Sequence, residues 1–249
     1  MTITDTTSFT ADWEQWHIDR EAAAAAKHGL ASVTGTHWLT SEPASFPGTP
    51  GSWRAEDGVA VGQITGAEHV QLSPGDEIEV DGLLIRVQSG PRGIAVRTFD
   101  PAAPARTRLR GIDAYPPSPQ WVRAGHFTRY ETPVATTITH ADGSVTEEEV
   151  VGQVTFALGD HTVSLGAFER PDGSLQITFA DATSGQQTAD FRFLSLDAPG
   201  TSGAVTVDLN RTYLPPSTFT DHYLCPLPPE GNIVEEPIAA GEKRPILRD

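Results

Sequence analysis

The chain has 249 residues, 33 of them acidic against 17 basic, for a formal net charge of -16; its mean surface repels phosphate backbones and anionic head groups, which argues against nucleic acid or a membrane as partner. A single cysteine, Cys225, excludes an intrachain disulfide and the cysteine-rich zinc motifs. No run approaches the ~18 apolar residues of a membrane span, and the polar first ten residues lack a basic segment followed by an apolar one, so a cytoplasmic protein is expected.

In chain order, the first predicted element is a helix. Ser8 is its expected N-cap, Asp12 and Glu14 suit its positive first turns, the Ala22 to Ala26 run propagates it, and Gly29 stops it. Trp13, Trp16 and Ile18 give it an apolar side, which suits packing across the outside of a sheet. From residue 31 onward, short runs of Val, Ile, Thr and Phe bounded by Gly, Pro and Asp predict strands and tight turns. The clearest hairpin joins 77–80 to 83–87 through Asp81-Gly82, a dipeptide that accepts the positive φ angles of a type I′ turn. Others are expected at Asp142-Gly143, Gly159-Asp160 and Asp172-Gly173. Further strands are predicted over 94–99, 122–129, 145–158, 162–168, 175–179, 191–196 and 205–209. The fold class is therefore mainly β, an antiparallel sandwich or barrel with one N-terminal helix. A Pro-rich C-terminal tail beyond Asn210 is expected to run extended over the body. One continuous body over 1–249 is the expectation. Within it, the prolines from Pro101 to Pro119 separate a helix plus small β cluster (1–100) from a larger β cluster plus tail (120–249).

Several motifs in one order carry a resemblance. Phe179-Ala180-Asp181-Ala182-Thr183-Ser184-Gly185 is followed by Val207-Asp208-Leu209-Asn210-Arg211-Thr212-Tyr213-Leu214-Pro215-Pro216 and by Cys225-Pro226-Leu227-Pro228-Pro229. Asn232 and Ala240-Gly241-Glu242-Lys243 come next, with His37-Trp38-Leu39 and Tyr115-Pro116-Pro117 upstream. Together they resemble the bacterial family known as domain of unknown function 1684. That resemblance implies no activity. Where members often carry Pro-Pro-Cys, this chain has Pro215-Pro216-Ser217, so a cysteine pair is not a requirement here.

Candidate chemistry collects at strand ends. Asp181 and Ser184 follow an apolar strand, and such residues commonly close a turn by accepting backbone N–H bonds. The functional alternative makes Asp181 a general base facing a pocket and Ser184 a polar contact or nucleophile, although no Gly-x-Ser-x-Gly elbow is present. Strand alternation sends Asp208 and Asn210 to one face and Leu209 with Arg211 to the other. The polar pair then either pins the tail or lines a cleft. Arg211, or Arg192 from a neighbouring strand, is the natural clamp for a carboxylate. An imidazole ordinarily changes charge near neutrality, so His37 and His222 are candidates for acid or base. Trp38 and Tyr213 are the aromatics expected nearest a cleft, with core packing an equal explanation.

These residues point to an enzyme acting on a small polar or anionic metabolite by hydrolase- or lyase-like acid/base chemistry. Asp181, His222 and Ser184 would be catalytic, and Arg192, Arg211, Asn210, Tyr213, Trp38 and His37 would bind. No metal or organic cofactor is implied, since no glycine-rich phosphate loop follows a strand. Two alternatives stay open. One is a non-catalytic module binding a small molecule or peptide, and the other a metal-dependent enzyme using His37, His222 and Glu242. The latter would have to draw its ligands from distant segments, because no His-x-His or His-Glu-x-x-His spacing exists. A homo-oligomer is compatible with either.

Overall fold

The computed structural model describes residues 6–64, 69–90 and 92–248. Its first element is helix α1 (Thr6–Ala25). Trp13 is buried, and Trp16, His17 and Arg20 are half-buried, a stripe at i, i+3, i+4 and i+7. Ile18, expected on that side, falls off the stripe and is 55% exposed; the expected cap Ser8 lies inside the helix. The helix ends at Ala25, short of the expected stop at Gly29, which closes the turn that follows. The Gly29 N–H reaches the Ala26 carbonyl at 3.0 Å in that turn, and a Cβ there would stand 2.3 Å from the Ala23 carbonyl oxygen.

The chain divides into two compact units. One comprises the chain up to Arg20, Gly111–Thr218 and Leu224–Ile246; the other takes Glu21–Arg110, Phe219–Tyr223 and the residues from Leu247 on. In the second unit, strands β1 (Val33–Trp38), β2 (Ala44–Phe46), β3 (Thr49–Glu56), β4 (Val59–Gln63), β5 (Val70–Leu72), β6 (Glu77–Val80), β7 (Leu83–Gly90) and β8 (Gly93–Phe99) form two four-stranded sheets. Their orders are β1-β8-β7-β6 and β2-β3-β4-β5, antiparallel throughout. Trp53, Ala60 and Ile64 from one sheet and its margin pack with Ile85, Val87 and Val96 from the other in a shared core, the arrangement of a small sandwich. The predicted hairpin is present: Asp81 at φ 52° and Gly82 at φ 81° link β6 to β7. Asp57-Gly58 makes the same turn between β3 and β4. A one-and-a-half-turn helix, α2 (Pro104–Arg108), opens with proline, whose missing N–H would have had no helical partner there.

Strand β9 (Leu109–Ala114) leads to the other unit, which holds β10 (Val122–Thr139), β11 (Val145–Leu158), β12 (His161–Glu169), β13 (Leu175–Phe179), β14 (Arg192–Leu196) and β15 (Ala204–Asp208). They form one antiparallel sheet in the order β14-β13-β12-β11-β10-β15. The turns expected at Asp142-Gly143, Gly159-Asp160 and Asp172-Gly173 connect β10 through β13. Phe156, Leu165, Leu175, Ile177, Phe179, Leu194 and Val207 line the inner face, joined by Ile238 and Ala240 from the C-terminal stretch. The sheet curls into a half-barrel. Its edge strands β14 and β15 approach within 8 Å between Cα atoms yet share no hydrogen-bond ladder.

The C-terminal stretch is more structured than a plain extended tail. It holds two single 3-10 turns, Pro216–Thr218 and Glu230–Asn232, before strand β16 (Glu242–Leu247) pairs with β9. Asn232, 1% exposed, fixes it to the half-barrel: its amide donates to the Gly166 and Thr178 carbonyls at 2.9 and 2.8 Å and accepts from the Gly166 N–H at 2.7 Å. No helix of the described residues is long and apolar enough to cross a membrane.

Candidate functional site

Asp181 and Arg192 lie together inside the half-barrel unit, with both side chains at zero exposure. The Asp181 Oδ2 accepts from Arg192 Nη2 at 2.6 Å, and its Oδ1 accepts from the Thr183 and Ile238 N–H groups at 2.7 and 3.2 Å. Arg192 also donates to the carbonyls of Ile238, Ala240 and Glu242 and to the Thr212 hydroxyl. This is a lock that ties the C-terminal stretch to β14. No face of either group is turned to solvent. Ser184 belongs to the same turn, its hydroxyl accepting the Asp181 N–H at 3.0 Å. The turn reading of this motif is thus the one the geometry realises.

Asn210 is also inside, at 1% exposure, holding Ser118 through both its amide oxygen and nitrogen. It pins the segment before β10 rather than the tail. The expected alternation past Asp208 does not occur, because β15 ends there and Leu209–Arg211 form a 3-10 turn. Asp208 caps it, accepting the Asn210 N–H at 3.0 Å. One consequence is that Asp208 and Arg211, three residues apart, come to the same side, with Arg211 Nε 3.5 Å from Asp208 Oδ2.

That side is a cleft of about 550 Å³, within the range of small-molecule sites. It opens at the seam of the half-barrel. Ser195 and Asp197 come from β14 and the residue beyond it, Thr206 and Asp208 from β15, and Arg211 and Tyr213 from the chain that follows. Trp16 and Arg20 of α1 complete the wall, one helical turn apart on one face. Arg20 is anchored rather than free: its Nε and Nη2 donate to the two oxygens of the fully buried Glu242 at 2.9 and 3.0 Å. The Leu214 N–H adds a bond to Glu242 Oε2 at 2.7 Å. From that anchor the Arg20 guanidinium lies 4.8 Å over the Tyr213 ring. Arg211, 36% exposed, donates Nη2 to Asp12 and lies 5.9 Å over Trp16.

Tyr213 sits at the end of a chain of donors. Its hydroxyl oxygen receives N–H bonds from Arg170 at 2.9 Å and Gln176 at 3.3 Å and lies 3.0 Å from the Ser195 hydroxyl. With two incoming donors, the phenolic proton is directed to Ser195. Ser195, exposed at the cleft, is then left to donate its own proton outward.

His37, Trp38 and His222 belong to the other unit. His37 on β1 stacks on Phe46 with centroids 4.5 Å apart, and its buried Nε2 has no hydrogen-bond partner among the described residues. Burial first, then the charge of His222, pushes its pKa below 6.5. His222 itself is exposed, its backbone N–H bonded to the Thr220 hydroxyl at 3.0 Å. Trp38 is half-buried, with Arg92 5.6 Å over its ring. Glu242 has both oxygens engaged by Arg20 and Leu214, and among the described residues no three His, Cys, Asp or Glu gather as a metal set.

Of the expected site residues, the cleft therefore gathers Arg211 and Tyr213. It also takes Asp208, one of the polar pair expected either to pin the tail or to line a cleft, and adds Trp16, Arg20, Ser195, Asp197 and Thr206, which the sequence reading did not name as site residues. The spacing of Trp16 and Arg20 on one helical face was the available signal.

Comparison with known proteins is consistent with these motifs. None of the curated proteins matches the chain. Among solved structures, an uncharacterized protein of Haloarcula marismortui studied by solution NMR is similar at 28% identity, over 54% of this chain and 76% of that one, with a TM-score of 0.46. Residues 107–243 match the model described as "Protein of unknown function (DUF1684)". The buried lock and the cleft residues other than Trp16 and Arg20 lie in that span, and the chain belongs to the DUF1684 family.

Proposed function

We propose that the half-barrel unit binds a small polar metabolite in the seam cleft through an anionic group, most directly a carboxylate. The observation that carries this is the convergence of N–H and O–H donors on one cavity. Arg211 Nη1, Arg20 Nη1 and the Ser195 hydroxyl all have hydrogen-bonding capacity beyond the contacts described above. A planar guanidinium fixed on one edge offers its other edge in a set geometry, which suits a carboxylate. The overall charge of -16 opposes anions at a distance, but at physiological ionic strength charges beyond about 8 Å are largely screened, so the local donors decide.

The test is ligand-observed NMR with mixtures of mono- and dicarboxylic acids and sugar acids, on wild type and Arg211→Gln. Binding to wild type that weakens about tenfold in the variant is expected, the loss of one charge-assisted hydrogen bond. Equal binding to both proteins would take the cleft out of this role.

A catalytic version of the same reading is favoured by the donor chain from Arg170 through Tyr213 to Ser195, which supports a proton donor at the cleft. Turnover of an ester, amide and sugar-acid panel that is lost in Tyr213→Phe would favour it. Turnover that Tyr213→Phe leaves intact would count against Tyr213 as the acid.

A further inference from the structure

We infer that the ligand of the seam cleft carries a positive group as well as an anionic one, an amino-acid-like zwitterion whose ammonium is met by Asp197. This rests on the cleft reading above and specifies its ligand.

The wall carries charges of both signs, and most are already balanced. Arg20 is neutralised by Glu242 through two parallel hydrogen bonds. Asp208 receives two N–H bonds from Asn210 on Oδ1 and faces Arg211 Nε with Oδ2. Arg211 is shared between Asp208 and Asp12. Asp197 differs. Although it lines the cleft, it has no hydrogen bond or ion pair among the described residues. Strand alternation places it on the face of Ser195, with buried Leu196 between them pointing inward. The cavity thus presents donors from Arg20, Arg211 and Ser195 together with an excess of carboxylate, since Asp12 and Asp208 share one guanidinium and Asp197 has no partner among the described residues.

A purely anionic guest would lie in the field of the Asp197 carboxylate. A 550 Å³ cavity is about 10 Å across if taken as a sphere, so a guest at its centre stands about 5 Å from the wall, inside the ~8 Å screening length, where a unit repulsion at an effective dielectric near 20 weakens binding on the order of tenfold. An ammonium on the same guest converts this repulsion into attraction of comparable size. Trp16 and Tyr213 supply aromatic surface for the guest's apolar carbons. The charges of the wall are therefore matched to a molecule carrying both signs.

Calorimetric titration of the full chain tests this with paired probes: leucine, phenylalanine and glutamine, each against the 2-hydroxy acid of the same side chain, and γ-aminobutyrate against γ-hydroxybutyrate. Wild type is expected to prefer at least one amino compound by about tenfold over its hydroxy partner, and Asp197→Asn to erase that preference while leaving the hydroxy acid no weaker. A preference that survives in Asp197→Asn, or a wild type that binds the hydroxy acids as well or better, would overturn the zwitterion. If Arg211→Gln still weakens the hydroxy acids, the anion reading survives that result. If no probe of either kind binds wild type, the zwitterion falls, and the carboxylate screen decides the cleft independently.

Discussion

Two of the aspartate–arginine pairs in the half-barrel unit, Asp181–Arg192 and Asp208–Arg211, are put to opposite uses. Asp181 and Arg192 are sealed from solvent, the carboxylate engaged by three donors and the guanidinium by backbone carbonyls of the C-terminal stretch. Asp208 and Arg211 stand at the lip of a cavity, the arginine one-third exposed and only partly engaged. The difference teaches that residue type and position at a strand end do not distinguish a structural tie from a recognition group. What distinguishes them is how many hydrogen-bonding sites remain once the fold has formed.

The comparison breaks most visibly at the buried pair. Arg192→Met should lower stability by about 3–5 kcal/mol in denaturant unfolding, because Asp181 would be left charged and desolvated. The double variant Asp181→Leu/Arg192→Met should recover part of that loss. A single variant as stable as wild type would mean the pair is not the lock described. Next comes Arg20→Met, which strands the buried Glu242 and should cost about 3 kcal/mol. Unlike Arg192→Met, it also removes a wall of the cleft. Arg211→Gln sharpens the contrast from the other side: its exposed contacts should contribute less than about 1 kcal/mol to unfolding, so binding should suffer where stability does not. A large stability loss there would reassign Arg211 to the scaffold.

The smallest effect belongs to the other unit. The His37 pKa is lowered by burial and by His222, so the unfolded chain holds more protons than the folded one just below pH 6.5. Stability present above that pH is therefore lost as the pH falls through the interval between the two pKa values. Thermal unfolding followed from pH 7.5 to 5 should show a shallower acid-side decline in His37→Gln than in wild type. Parallel curves would exclude His37 as a contributor.

Much of the β architecture was legible because its signals are local. Asp81-Gly82 and Asp172-Gly173 specify their turns from two residues, and the runs between them alternate. The same dipeptide at Asp57-Gly58 marked a hairpin that the reading passed over, in a segment where Pro50, Gly51 and Gly62 obscure the strand pattern. The N-terminal helix was visible, but not which of its residues turned inward; Ile18 looked apolar enough to be buried and is not. The site was only half legible. Arg211 and Tyr213 stood in a recognisable motif, whereas Arg20 depends on Glu242, 222 positions away, a pairing that no local pattern encodes. Asp181 and Arg192 were taken for exposed chemistry for the same reason: their partners at Ile238 and Ala240 are remote in the chain.

The unclosed seam between β14 and β15 has a mechanical corollary. Neighbouring edges that share no ladder can part or draw together without unzipping the strands behind them, so the hollow they border is able to dilate around guests of different girth. Amide hydrogen exchange would register this as slowing confined to the lips, at 195–197 and 204–208, when a guest is seated. Protection along β11 and β12 would stay constant, leaving a compliant mouth on a stiff body.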